Sequence, residues 1–172
     1  LVNLGAAAVN AAIGGHSVHE VLVRLSARIG EDFQVAQRVN DDLVYLDVVH
    51  AARSQGLRFE QGRHSPLHCT SIGKLFLAEM PPEAFERWLA SIQLTRLGPN
   101  TIVTAEQLRE VVSHVRKAQW ASSNEEIAAG VVGCAVPIRI KGRLVAGLGI
   151  SVPTARVRFI EMDQFRAPMQ EA

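Results

Sequence analysis

Apolar residues recur every three or four positions in several stretches of the chain, which is the spacing of an amphipathic helix. The first stretch covers residues 17–28, where Ser17 and Glu20 have the spacing of a capping box and Gly30 marks the end. Four later helices are predicted: residues 70–80, the segment carrying Phe85, Trp88, Leu89 and Ile92, the segment that Thr104 opens with Gln107 as capping partner, and a last one running from Thr154 towards Phe165.

Other stretches are rich in β-branched residues and are bounded by turn residues, which is typical of strands. Two β-hairpins are predicted: 33–39 with 43–49 around Asn40–Asp42, and 131–140 with 144–152 around Lys141–Arg143. Residues 54–60 are a weaker strand candidate. Pro137 has no N–H to donate to a sheet, so we expect it at a strand edge or a bulge.

These elements cluster rather than alternate strictly, which predicts an α+β fold with a largely antiparallel central sheet and helices packed against it. A length of 172 residues is enough for one domain with a sizeable core. The net charge of +1 does not by itself indicate a nucleic-acid or membrane surface. Two widely spaced cysteines and the lack of a basic leader or a membrane-length apolar run favour a reduced, cytoplasmic protein.

The segment Thr70-Ser71-Ile72-Gly73-Lys74 can be interpreted in three ways. A phosphate loop requires glycines well before the Gly-Lys pair and Ser or Thr directly after it, and neither is present. An acyl-transfer site could use the Ser71-x-x-Lys74 spacing, but the Lys-Thr-Gly strand of such enzymes is absent. A plain helix start is favoured: Thr70 or Ser71 caps free N–H groups, Lys74 points to water, and the apolar residues pack.

The wider segment GRHSPLHCTSIGKLFLAEMPPE (62–83) resembles the central motif of the IclR family of bacterial transcriptional regulators. The resemblance continues at Thr95 and Thr101, through NEEIAAGVVGCAVPI (124–138), and ends at LVAGLGISVPTAR (144–156). It implies a GAF-like effector-binding domain over residues 31–172. Residues 1–30 would then hold a remnant of the linker helix region and the first helix. The family's N-terminal winged helix-turn-helix would be absent from this chain, and we expect residues to have preceded Leu1.

The same resemblance implies a binding site for a small organic effector. In such a site the backbone N–H groups of Ser71 and Ile72 face a carboxylate, because helix N-termini attract anions. The other effector-binding positions carried over from the family are Ser123, Gly133, Cys134, Gly149 and Ser151. Ser123 stands where the family often has Asp, Gly149 replaces a Ser, and the thiol of Cys134 is shifted by one position to the opposite strand face. We therefore expect a less polar pocket, suited to an aromatic or longer apolar acid.

We expect this domain to sense a metabolite for a transcriptional regulator and to have no catalytic residue, no cofactor and no metal site. His64, His68 and Cys69 lie near the motif, but their spacing fits no metal signature. Expected partners are a small-molecule effector and further copies of the chain, in a dimer or tetramer. DNA would be bound only through the absent domain, and no membrane is involved. Two alternatives stay open: a small serine hydrolase or amidase using Ser71 and Lys74, and a GAF-like sensor module of another signalling protein.

Overall fold

Six antiparallel strands form one sheet in the computed structural model, which describes residues 18–52 and 59–172. In sheet order β3-β2-β1-β6-β5-β4, the strands are numbered along the chain as β1 Asp32–Val39, β2 Asp42–Val49, β3 His64–Pro66, β4 Ala121–Asn124, β5 Val131–Ile140 and β6 Arg143–Pro153. The two predicted hairpins are confirmed as β1–β2 and β5–β6, and pairing of β1 with β6 joins them into one sheet. The α+β prediction is therefore confirmed.

The first four described helices begin and end close to the predicted positions, whereas a short fifth helix was not predicted. They are α1 Val18–Ile29, α2 Ser71–Glu79, α3 Pro82–Ser91, α4 Ala105–Ala118 and α5 Arg166–Gln170, with a 3-10 helix at Phe159–Phe165. Thr70 and Thr104 cap α2 and α4, each accepting a hydrogen bond from the N–H three residues on. Gly30 has φ +82° and ends α1, whereas the predicted cap Ser17 lies outside the described residues. None of the described helices is long and apolar enough to cross a membrane.

The two faces of the sheet carry separate apolar clusters. On one face, α1, the 3-10 helix and α5 pack against residues such as Phe33, Cys134 and Ile150. On the other face, α2 and α4 pack against Ala36, Ala135 and Leu43. Because both faces are covered, the central strands bury consecutive residues, which explains why simple alternation is weak in their sequences.

Pro137 lies in β5 opposite Gly147 of β6. On its other side β4 pairs only as far as Ala135, so the described chain places no strand beside Pro137 there. A proline is tolerated where its nitrogen faces a strand edge without a partner, and β5 has such an edge at Pro137. This agrees with the predicted edge position.

Some predictions were wrong at the chain's polar or irregular segments. Thr154 does not cap a helix; its N–H donates to the carbonyl of Gly130, and the 3-10 helix begins only at Phe159 after Arg158. The short strands β3 and β4 were not predicted. The weak strand expected over 54–60 falls mostly outside the described residues, and Phe59 and Glu60 are not in a strand.

Candidate functional site

Small and polar side chains form a row across one face of the sheet. In the strand register, Gln34 of β1 is opposite Gly149, Gly133 is opposite Ser151, and Ser123 of β4 is opposite Gly133. Directly opposed residues, and residues two apart on one strand, share a face. The structure thus brings together four predicted site residues from three strands (Ser123, Gly133, Gly149 and Ser151) and adds Gln34, which was not predicted.

Helix α2 crosses this face above strand β6. A Cβ at Gly147 would lie 2.5 Å from Cγ2 of Ile72, and one at Gly149 would lie 2.9 Å from its Cδ1. The two glycines therefore accommodate the Ile72 side chain, which seats the helix on the sheet. Gly149 was predicted to bind the effector, but the Ile72 side chain occupies the space beside it, and Gly149 does not line the cavity described next.

The start of α2 is open towards the row of small residues. Oγ1 of Thr70 accepts the N–H of Gly73 at 3.2 Å, and the N–H of Lys74 donates to the Thr70 carbonyl at 3.0 Å. The N–H groups of Ser71 and Ile72 precede these bonds and have no acceptor within the helix. Both residues line the same cavity as Ser123 and Ser151, so the predicted approach of the helix start to the strands is geometrically feasible.

The cavity between the helix start and the sheet is narrow. Its free volume is about 20 Å³, room for about one water molecule, so any larger ligand must displace part of the wall. The described residues that line it carry no charge. Its apolar wall consists of Leu43, Tyr45, Phe59, Ile72, Ile127 and Val131, and its polar side of Gln34, Thr70, Ser71, Ser123 and Ser151 beside Gly133.

Gln34 is the buried polar residue that sequence reasoning missed. Its Nε2 donates to Oγ of Ser151 at 2.9 Å, while its Oε1 is buried and finds no hydrogen-bond partner among the described residues. Only 4% of the residue is exposed. The sequence signal that could have identified Gln34 is its position between two apolar strand residues, Phe33 and Val35. Both neighbours belong to the core on the α1 side of the sheet, so the Gln34 side chain lies on the side of the cavity.

Lys74 does not point to water, contrary to the prediction. Its side chain is 2% exposed, and its Nζ lies 2.5 Å from Oε1 of Glu126 and donates to the Ser122 carbonyl at 2.9 Å. Burial lowers the pKa of the Lys74 ammonium, and the Glu126 carboxylate opposes that shift. Oε1 of Glu126 also accepts the Asn124 N–H at 3.2 Å, so the pair ties α2 to the loop after β4.

Cys134 is on the other side of the sheet from the cavity. It is opposite Ile150 in the register, and its Sγ lies 3.8 Å from the carbonyl of Met162 in the 3-10 helix. Burial raises the pKa of its thiol well above the ordinary range. Its inclusion among the effector-binding residues therefore needs correction, since its side chain packs as a small apolar group.

The histidines near the motif have structural partners. Nδ1 of His64 lies 3.0 Å from Asp42 at the surface, and Nε2 of His68 lies 3.1 Å from the Thr95 carbonyl in the interior. Burial lowers the pKa of His68. Within residues 18–52 and 59–172, no three His, Cys, Asp or Glu side chains converge as metal ligands.

Known proteins with similar sequences are bacterial transcriptional regulators. The family model for the C-terminal domain of bacterial transcriptional regulator IclR matches residues 8–172. The probable transcriptional regulator SauR of Cupriavidus necator is 35% identical over 147 residues, which cover 85% of this chain and 57% of that regulator. The chain therefore spans little more than half the length of this relative.

Solved structures agree with the sequence matches. The transcriptional regulator YaiJ superposes with a TM-score of 0.84 at 25% identity, covering 98% of this chain and 91% of its own. The inducer-binding domain of a PobR double mutant from Acinetobacter, in complex with 3-hydroxybenzoic acid, superposes with a TM-score of 0.81 at 26% identity, covering 88% and 89%.

Proposed function

Because the chain belongs to the IclR family of bacterial transcriptional regulators, as its effector-binding domain, we propose that the cavity under α2 binds the effector of a longer DNA-binding protein. The observation that carries this proposal is the convergence of an open helix start with three strands. It combines free backbone donors, serine hydroxyls and an apolar wall in one place.

The chemistry of the lining favours a small organic monoanion with an apolar body. A carboxylate would accept hydrogen bonds from the N–H groups of Ser71 and Ile72, where the helix dipole supplies a partial positive charge. Ser123 and Ser151 supply hydroxyls, and Gly133 leaves them accessible: a Cβ there would lie 3.5 and 3.9 Å from the two oxygens. The similar PobR domain holds an aromatic acid, which supports an aromatic effector here.

The hydrolase alternative is disfavoured by the environment of Lys74. A lysine that activates a serine must present a lone pair to the hydroxyl. Here Nζ is directed to Glu126 and the Ser122 carbonyl, and Ser71 is not among its partners. The similar proteins are regulators, which agrees with a role in binding rather than catalysis. A fluorophosphonate probe should therefore leave Ser71 unlabelled.

Binding would regulate DNA contact through the rest of the regulator. We propose that the effector shifts the arrangement of two or four copies of this domain, and with it the spacing of attached winged helix-turn-helix domains. Residues 1–30, which include α1, would connect this domain to those DNA-binding domains.

Calorimetry with 3-hydroxybenzoate on the wild type and two matched variants tests the site. Ser123→Ala removes a cavity hydroxyl and should weaken binding at least about tenfold, because a buried polar group of the ligand loses its partner. Ser122→Ala makes the same change on the neighbouring residue, which does not line this cavity, and should bind like the wild type. Equal affinity in all three proteins would place the site elsewhere.

A further inference from the structure

We propose that Gln34 selects the effector: its amide recognises an uncharged hydroxyl, so the ligand is a hydroxylated monocarboxylic acid rather than a diacid or a plain apolar acid. The inference rests on the proposed effector site. It adds a specificity-determining residue from β1, a strand that the sequence motifs of the site did not include.

The first support is an unused hydrogen-bonding atom at the cavity. Gln34 is almost fully buried and lines the cavity, and one end of its amide is fixed by the 2.9 Å bond to Ser151. The other end, Oε1, has no partner among the described residues. Buried polar atoms are nearly always paired in folded proteins, so an unpaired one beside a binding cavity points to a ligand group.

The second support is the position of the amide relative to the helix start. A Cβ at Gly149 would lie 3.1 Å from Nε2 of Gln34 and 2.9 Å from Cδ1 of Ile72. The glutamine amide and the Ile72 side chain in the first turn of α2 thus lie beside the same point of strand β6, and Gln34, Ser71 and Ile72 line one cavity. One small molecule can therefore reach both, with its carboxylate at the helix start and its second polar group at Gln34.

The third support is charge. The described residues lining the cavity include no cation, and the ammonium of Lys74 is already bound to Glu126. A second carboxylate would be buried without a counter-charge, which is strongly unfavourable. A hydroxyl carries no such cost. It also matches either orientation of the amide, because it donates to Oε1 and accepts from Nε2.

The inference is tested by calorimetry, which measures the affinities of the wild type and of Gln34→Leu for a set of matched ligands. The ligands are benzoate, 3-hydroxybenzoate, 4-hydroxybenzoate and the dianion isophthalate. The wild type should bind at least one hydroxybenzoate about tenfold or more tightly than benzoate, and isophthalate less tightly than benzoate. In Gln34→Leu, which keeps the volume and removes the amide, that preference should fall to about threefold or less while benzoate still binds.

Gln37→Leu is the matched control, because it makes the same change on the same strand at a residue that does not line the cavity. It should keep the wild-type preference. If Gln34→Leu fails to fold by circular dichroism, Gln34→Met removes the amide with an unbranched side chain and serves the same purpose.

The outcomes separate this inference from the proposed function. Binding of these acids by the wild type without a hydroxyl preference, or a preference that survives in Gln34→Leu, overturns the role of Gln34 and leaves the effector site standing. Preference for isophthalate also overturns it. If none of the four acids binds the wild type, the proposed site for aromatic acids fails, and the role of Gln34 fails with it.

Discussion

Removal of either member of the Lys74–Glu126 pair should strongly destabilise the domain. Both side chains are more than nine-tenths buried, so Lys74→Met leaves a carboxylate in the interior without its cation. Breaking a buried ion pair in this way costs about 3–5 kcal/mol, and Glu126→Leu should cost a similar amount by stranding the ammonium. Either loss is a large part of the 5–15 kcal/mol by which domains are typically stable.

The double variant Lys74→Met/Glu126→Leu should recover most of that loss, because no buried charge remains. Two backbone groups then lack their partners: the Ser122 carbonyl, which Nζ bonded, and the Asn124 N–H, which Oε1 accepted. At about 1 kcal/mol for each hydrogen bond, the double variant should be destabilised by about 2 kcal/mol. The sum of the two single effects should therefore exceed the double effect by about 4 kcal/mol or more.

Urea unfolding followed by circular dichroism measures these free energies. Arg109 and Glu86 form the control pair, since they lie on the surface with about half of each side chain exposed. Arg109→Met should leave the urea midpoint almost unchanged, as exposed pairs contribute little. A cost of Lys74→Met below about 1 kcal/mol, or additive effects in the double variant, would refute a buried and coupled pair.

Three further predictions concern other residues. Cys69 and Cys134 should react with a disulfide reagent at pH 8 only after unfolding, because burial raises the pKa of Cys69 to about 12 and that of Cys134 further; fast reaction of the native protein would contradict their burial. His68 has a lowered pKa when folded, so stability should fall as pH drops below about 6.5, where the unfolded state alone binds the proton. His68→Gln should reduce that dependence between pH 7.5 and 5.5, and an unchanged dependence would assign it to other groups. Gly147→Ala should destabilise by about 1–3 kcal/mol through contact with Ile72, and Ile72→Ala should remove most of the added penalty; two additive losses in denaturant unfolding would argue against that contact.

The elements with strong local signals were predictable from the sequence. Capping threonines at 70 and 104, the proline pair after Met80 and the two hairpin turns fix most boundaries because the backbone preferences are local. Strands β3 and β4 read His-Ser-Pro and Ala-Ser-Ser-Asn, which carry no strand preference of their own. Their extended state is decided by the strands beside them, and that information is not local.

Only part of the candidate site could be predicted from the sequence. Gly133 and Ser151 face each other because the strand register follows from the predicted hairpin, whereas Ser123 joins them through β4, a strand that was not predicted. The burial of Lys74 could not be predicted because its partner is 52 residues away, and a lysine in a helix is usually solvated. The burial of Gln34 was not predicted for a related reason. Its side chain is buried because helices cover both faces of the sheet, and the local sequence does not show that.

The two-sided burial of the sheet has a consequence for communication through the domain. Gly133 borders the cavity, and the next residue, Cys134, touches the 3-10 helix on the far side. The cluster around Cys134 also contains Val21 and Leu22 of α1. If β5 is displaced on the cavity side, the apolar cluster against which α1 packs is displaced with it. Only one peptide bond separates Gly133, at the cavity, from Cys134, in that cluster. Because protein interiors are tightly packed, a displacement of β5 caused by a molecule in the cavity would reach α1 through the sheet.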